Sequence, residues 1–185
     1  MPIESTPNRN IQPQGDSAAD AFIAESRQTL DSAQRKIVHC LDQLTDDDLH
    51  WRPFPSANSL QMIVLHLCGN VRQWIMHGVG EQEDVRNRPQ EFAEQPPLAK
   101  AELLTRLSQT VADADAVLSE FDNRRLTEPR NVQGFDSNLL SVIYDCVSHF
   151  VGHTHQIVYI TRLRVGDSYR YAWVPEGIDR AQPGE

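Results

Sequence analysis

Residues 104 to 121 repeat apolar side chains at spacings of three and four: Leu104, Leu107, Val111, Ala114, Leu118 and Phe121. That period marks one buried helical face, and three other segments share it. The first spans residues 18 to about 44, with Leu30, Ala33, Ile37, Leu41 and Leu44 on one stripe. The second follows Pro53, Pro55 and the cap-like Asn58/Ser59, runs from about Leu60 to His77, and stops at Gly78 and Gly80. The third, which holds residues 104 to 121, begins after Pro96 and Pro97, residues suited to a first helical turn. The fourth opens at Asp136/Ser137 and ends before Gly166. No strand-like alternation of useful length separates them, so the expected fold class is all-α, a four-helix bundle. A chain of 185 residues suffices for one core and is short for two. One bundle domain is therefore expected over residues 18–178, with a C-terminal extension and with residues 1–17 as a flexible N-terminal tail. The connection over residues 81–95 is long for a bundle loop and is expected to cover something.

Charge narrows the partners. Seventeen basic against 26 acidic side chains leave a net charge of −9, and no Lys/Arg cluster is present to neutralise phosphates. Nucleic acid is accordingly not an expected partner. No segment reaches the roughly 18 uncharged apolar residues of a membrane span, and the first twenty residues lack the apolar stretch of a secretory signal. Cys40, Cys68 and Cys146 are odd in number and lie in apolar helical contexts. They read as reduced, buried thiols of a cytoplasmic protein.

The histidines carry the chemistry. Residues 149 to 157 read HFVGHTHQI. On a helical wheel His149 and His153 fall about 40° apart, in the arc that holds Val142, Cys146, Ile157 and Ile160, whereas His155 falls about 240° from His149. Side chains at i and i+4 are neighbours about 6 Å apart, so two such imidazoles can aim at one ion about 2.0–2.1 Å from each. In SLQMIVLHLCGNVRQW, residues 59 to 74, His66 shares a face with Ile63, Asn70 and Trp74. His77 is on that face too, but about 16 Å further along, which assigns it to the helix end and its closing carbonyls. Burying three imidazoles without partners is costly, and a metal would offset that cost. HxxxH without an intervening Glu also suits hydrogen-bonded core histidines, so the spacing leaves both readings open and removes only the zinc-protease motif. Among the remaining candidates, Trp74 reads as core, with pocket-lining as the alternative, and Trp51 as cover for a helix end that Pro53 terminates. Asp46 to Asp48 read as a solvated turn. Arg86 and Arg88 read as a solvated loop, with an anionic substrate as the alternative.

Five stretches in order resemble the DinB superfamily of metal-binding bundles, and more narrowly its DUF1572 branch: WRPFPSANSL (51–60), VLHLCGNVRQW (64–74), RNRPQEF (86–92), SHFVGHTHQIVYITRL (148–163) and WVPEG (173–177). The resemblance implies an up-down-down-up bundle holding a divalent metal with one histidine of the second helix and two of the fourth. His66 falls on the first of these positions, and His149 and His153 on the others. His155 stands where the branch often has Gly. Three imidazoles suit Zn, Ni, Fe or Cu. Asn70 and Gln156 are candidates for orienting the rings, with core-edge packing as the alternative.

Three neutral ligands leave coordination positions open, as a catalytic site requires. The resemblance implies a metal-dependent enzyme, with a thiol-dependent S-transferase first. There a low-molecular-weight thiol such as bacillithiol or mycothiol attacks a small electrophile. A hydrolase using metal-activated water is the alternative, and a non-catalytic stress-response or ligand-binding bundle with a structural or vestigial metal is the third reading. No general base or other catalytic side chain is evident. Leu140, Val147, Val151 and Val158 form a second apolar face of the fourth helix, opposite the histidines. A homodimer partner is the expected cover, as the family also suggests, with a folded-back C-terminus carrying Tyr169, Tyr171 and Trp173 as the alternative.

Overall fold

The structure, a computed structural model, describes residues 17–94 and 96–172. Four long helices form the body: α1 (Ala18–Leu41), α2 (Leu60–Val71), α4 (Lys100–Glu120) and α5 (Leu139–Val165). A short helix, α3 (Arg88–Phe92), lies on the crossover from α2 to α4. Side chains close three of the helix starts by accepting otherwise unpaired N–H groups. Ser17 accepts from Asp20, Ser59 from Met62 and Asn138 from Ser141.

Contacts between helix ends set the directions. Arg27 in the first half of α1 pairs with Asp115 in the last third of α4, and Lys100 Nζ at the start of α4 donates to the Leu44 carbonyl just past α1. These two helices are antiparallel. Gln61 at the start of α2 binds the backbone of Pro96 and Leu98 just before α4, so α2 and α4 run together. The end of α5 returns to the end of α1, where Arg170 N–H donates to Gln43 Oε1 at 2.7 Å and Arg164 pairs with Asp48. The order is up-down-down-up, and α2 and α5 are antiparallel neighbours.

The core follows the stripes read from the sequence. Leu30, Ala33, Ile37, Leu41 and Leu44 are buried, as are Leu107, Val111, Ala114 and Leu118; Leu103 is fully buried where Leu104 lies at the edge. Trp51 packs against the core under the Arg164 guanidinium, 4.9 Å from its ring centre, and Asp48 anchors that arginine.

Three features differ from the expectation. Residues 129 to 138 form a hairpin, β1 (Pro129–Val132) against β2 (Phe135–Asn138), with Val132 opposite Phe135. Its two-residue turn, Gln133-Gly134, takes positive φ at both positions (58° and 82°), the geometry that matches strand twist in tight hairpins. Consequently α5 begins at Leu139 behind the Asn138 cap, and Asp136 and Ser137 belong to β2. The second helix is also not uniform. After Val71 it widens over Arg72–His77, where Gly78 and Gly80 N–H donate to the carbonyls five residues earlier, each at 2.9 Å. Gly78 lets the hairpin close on this turn, since a Cβ there would stand 2.9 Å from Val132 Cγ2.

On the outer face of α5, Leu140 is 40% and Tyr144 60% exposed, and Val147, Val151 and Val158 are half-buried. The C-terminal segment caps the far end of α1 and α5. Tyr169 packs on the core, and Arg162 lies over the rings of Tyr169 and Tyr171. Trp173 and the WVPEG stretch lie outside the described residues, as do residues 1–16. No helix among the described residues is long and apolar enough to cross a membrane.

Phe150 has no solvent exposure at the centre of the bundle. Phe150→Ala is expected to lower the unfolding free energy by about 3–5 kcal/mol in urea titrations, with the denaturant slope unchanged.

Candidate metal centre

The antiparallel neighbours α2 and α5 bring His66, His149 and His153 together. The ring centres stand 5.0 Å (His66–His149), 5.1 Å (His66–His153) and 4.5 Å (His149–His153) apart. One nitrogen from each lies within 4.8 Å of the others. His66 is buried at 6% exposure, and the two α5 histidines are half-buried. His66 Nε2 and His149 Nε2 are 2.8 Å apart. Bonds of 2.0–2.1 Å at a tetrahedral angle would separate such nitrogens by about 3.3 Å, a small adjustment of two side chains. Three imidazole nitrogens converging in this way are a donor set that fits a divalent transition metal.

Each of two rings is held by a partner on its far nitrogen. His66 Nδ1–H donates to Glu91 Oε2 at 2.9 Å, which turns the Nε2 lone pair inward. His153 Nδ1–H donates to Gln156 Oε1 at 2.8 Å with the same effect. Carboxylate and amide acceptors behind metal-ligating histidines fix the ring and raise its basicity. Glu91 was not among the residues the sequence singled out, although it sits within the RNRPQEF stretch.

Glu91 in turn depends on Arg86, whose Nε and Nη2 donate to its two oxygens at 2.7 and 2.9 Å. Their side chains are 9% and 3% exposed. A buried carboxylate needs such a counter-charge to stay ionised. Arg86 Nη1 also reaches Gln73 Oε1 at 2.9 Å, and Gln73 Nε2 donates to Asp84 Oδ2 at 2.8 Å. The expectation of a solvated loop therefore fails for Arg86. The connection does cover something: it presses Glu91 against α2 at Gly69, where any Cβ would overlap the carboxylate.

Asn70 does not orient a ring. Its Oδ1 accepts the Cys146 thiol at 3.6 Å. Burial pushes that thiol up to about 12, so it remains protonated. Burial likewise lowers His66 despite the raising effect of Glu91, and it pushes His149 down to about 4 with help from the neighbouring imidazoles and arginines. Both rings are neutral near pH 7, the state a ligand needs. His77 is far from the trio and donates through Nδ1 to the Gln82 carbonyl at 2.7 Å, while His155 is exposed on the outer face of α5.

A cavity of about 520 Å³ opens beside the trio and is lined in part by His66, His149, Arg88, Trp74 and Phe135. Trp74 is half-buried and fits both readings of the sequence, packing against the core on one side and forming part of this wall on the other.

Residues 17–178 match the family model described as "Protein of unknown function (DUF1572)". The chain belongs to the DUF1572 family. Two solved structures share its fold. A conserved protein from Enterococcus faecalis is 21% identical with a TM-score of 0.64, over 77% of this chain and 96% of that one. A DinB-like protein from Bacillus cereus ATCC 10987 is 18% identical with a TM-score of 0.61, over 78% and 91%. No curated protein matches the chain. This DUF1572 protein is thus a helical bundle that shares its fold with these two proteins and carries a three-histidine cluster.

If Glu91 holds His66 for a metal, Glu91→Gln is expected to weaken Zn²⁺ binding by about 10–100-fold in competition with a chromophoric chelator. Gly69→Ala is expected to act in the same direction, because it displaces the Glu91 carboxylate, and both variants should keep their helical circular dichroism.

Proposed function

We propose that this DUF1572 protein is a metal-dependent enzyme. In this reading His66, His149 and His153 hold one divalent ion (Zn, Ni or Fe), and a low-molecular-weight thiol is transferred to a small electrophile. The observation that supports it is the convergence of three imidazoles, two held from behind, beside a cavity of about 520 Å³ that His66 and His149 line. That volume suits small molecules. A divalent ion bound there would supply Lewis acidity and ease loss of a proton from a thiol or from water.

The protein's own residues argue for a thiol brought from solution. Cys146, one turn from His149, is kept protonated by burial and donates to Asn70, and burial raises Cys68 and Cys40 as well. No protein thiolate faces the site. In the transfer, the thiol loses its proton to solvent, the sulfur–carbon bond forms, and the leaving group departs with its bonding pair. Glu91 and Gln156 orient the rings throughout, and Arg86 holds Glu91 in place by donating to both of its oxygens. Hydrolysis is the second reading, favoured by Asp136 and Asp145, acidic residues in the lining of the same cavity and of the type that accepts a proton from water.

Metal analysis of the purified protein should find about one ion per chain, absent from His66→Ala and His149→Ala. Metal-free wild-type protein would refute the site. Adding 2-mercaptoethanol to cobalt-loaded protein should introduce a sulfur-to-metal charge-transfer band; an unchanged spectrum would sink the transferase reading.

The same proposal includes a cytoplasmic setting, which the three unpaired buried cysteines support, and a homodimer built on the outer face of α5. Leu140 and Tyr144 supply the exposed apolar area for that contact. Tyr144→Glu should convert the sedimenting species from dimer to monomer without loss of helicity; a monomeric wild type would end the dimer reading.

A further inference from the structure

Among the described residues, eight arginines form ion pairs: Arg27, Arg35, Arg86, Arg106, Arg124, Arg125, Arg130 and Arg164. Arg88 makes none, and neither do Arg52, Arg72, Arg162 and Arg170; of these five, Arg88 is the one that lines the cavity beside His66 and His149. It is not a loose surface charge either. Its guanidinium lies 5.2 Å over the Phe92 ring, and that ring is 5.0 Å from the ring of His66. Stacking engages the face of a guanidinium and leaves the N–H edges free for two parallel bonds to one carboxylate. The positive charge is thereby held at the wall of the cavity that also exposes His66 and His149.

Trp74 lines the same wall; its Nε1–H is buried away from solvent and hydrogen-bonds to nothing among the described residues, so what the indole offers a ligand is ring surface. Apolar surface is at hand, since Phe135, 63% exposed at the start of β2, lines the cavity with the Trp74 indole. Asp136 and Asp145 share the lining and would repel a second negative charge.

We infer that this cavity binds a small aromatic monocarboxylate, with its carboxylate on Arg88 and its ring against Trp74 and Phe135. The ligand's role as the electrophilic substrate rests on the enzymatic reading above. Its binding does not.

The test uses phenylacetate and its neutral counterpart phenylacetamide, titrated by calorimetry into the full chain, both zinc-loaded and stripped with a chelator. Stripped wild type should bind phenylacetate at least about tenfold more tightly than phenylacetamide. Arg88→Ala should erase that preference, Arg88→Lys should retain part of it, and Trp74→Phe should weaken both ligands. Arg88 is exposed, so its replacement leaves the core intact, which circular dichroism verifies. Equal affinities, indifference to Arg88→Ala, or no binding to the stripped protein at millimolar phenylacetate would each overturn the inference. Binding seen only with zinc and unaffected by Arg88→Ala would also overturn it, while leaving the metal reading in place. Binding through Arg88 in a protein that takes up no zinc would uphold this site and defeat the metal reading.

Discussion

The hydrogen bond from His66 to Glu91 is the interaction on which the rest of the site depends. A neutral imidazole in a buried position has one donor and one acceptor nitrogen, and which is which decides where its lone pair points. Glu91 settles that choice for His66, but a carboxylate at 9% exposure is itself unfavourable without a cation. Arg86 supplies the cation and draws in Gln73 and Asp84 to satisfy its own donors. The irregular course of the chain between α2 and α4 is therefore the path that brings one carboxylate to one histidine. Gly69 on α2 is the space left for it.

Much of this architecture can be read from the sequence because helical burial is periodic. Leu30, Ala33, Ile37 and Leu41 announce a face, and the i,i+4 pair His149/His153 announces two side chains pointing the same way. The antiparallel α2–α5 pairing then delivers His66 to them. What escapes is what has no period. Arg86 and Glu91 are five residues apart on an irregular segment, and Glu91 meets a histidine 25 positions earlier. The hairpin escapes because strands of four residues are too short to alternate legibly, even though Gln133-Gly134 is a turn signal. Asn70 does share a face with His66, as the wheel indicates. Yet a wheel gives direction and no partner, and the Cys146 thiol takes its amide oxygen.

Burial acts on the titrating groups around the site in one consistent sense. It holds the His66 and His149 imidazoles uncharged and the Cys68 and Cys146 thiols protonated, so near neutral pH these positions of α2 and α5 offer lone pairs from nitrogen and none from thiolate sulfur. The crossover brings charge to the histidines themselves through Glu91 and Arg86, while Arg88, Asp136 and Asp145 line the adjoining cavity.

That division of labour bears on how such a protein can change over generations. The nitrogen cluster belongs to two long helices whose other residues make up the common core, so altering it disturbs packing throughout the bundle. The crossover carries few core residues and can lengthen, shorten or exchange side chains at small cost to stability. A lineage could therefore keep the histidine cluster, with Arg86 and Glu91 behind it, and vary the exposed crossover residues around them.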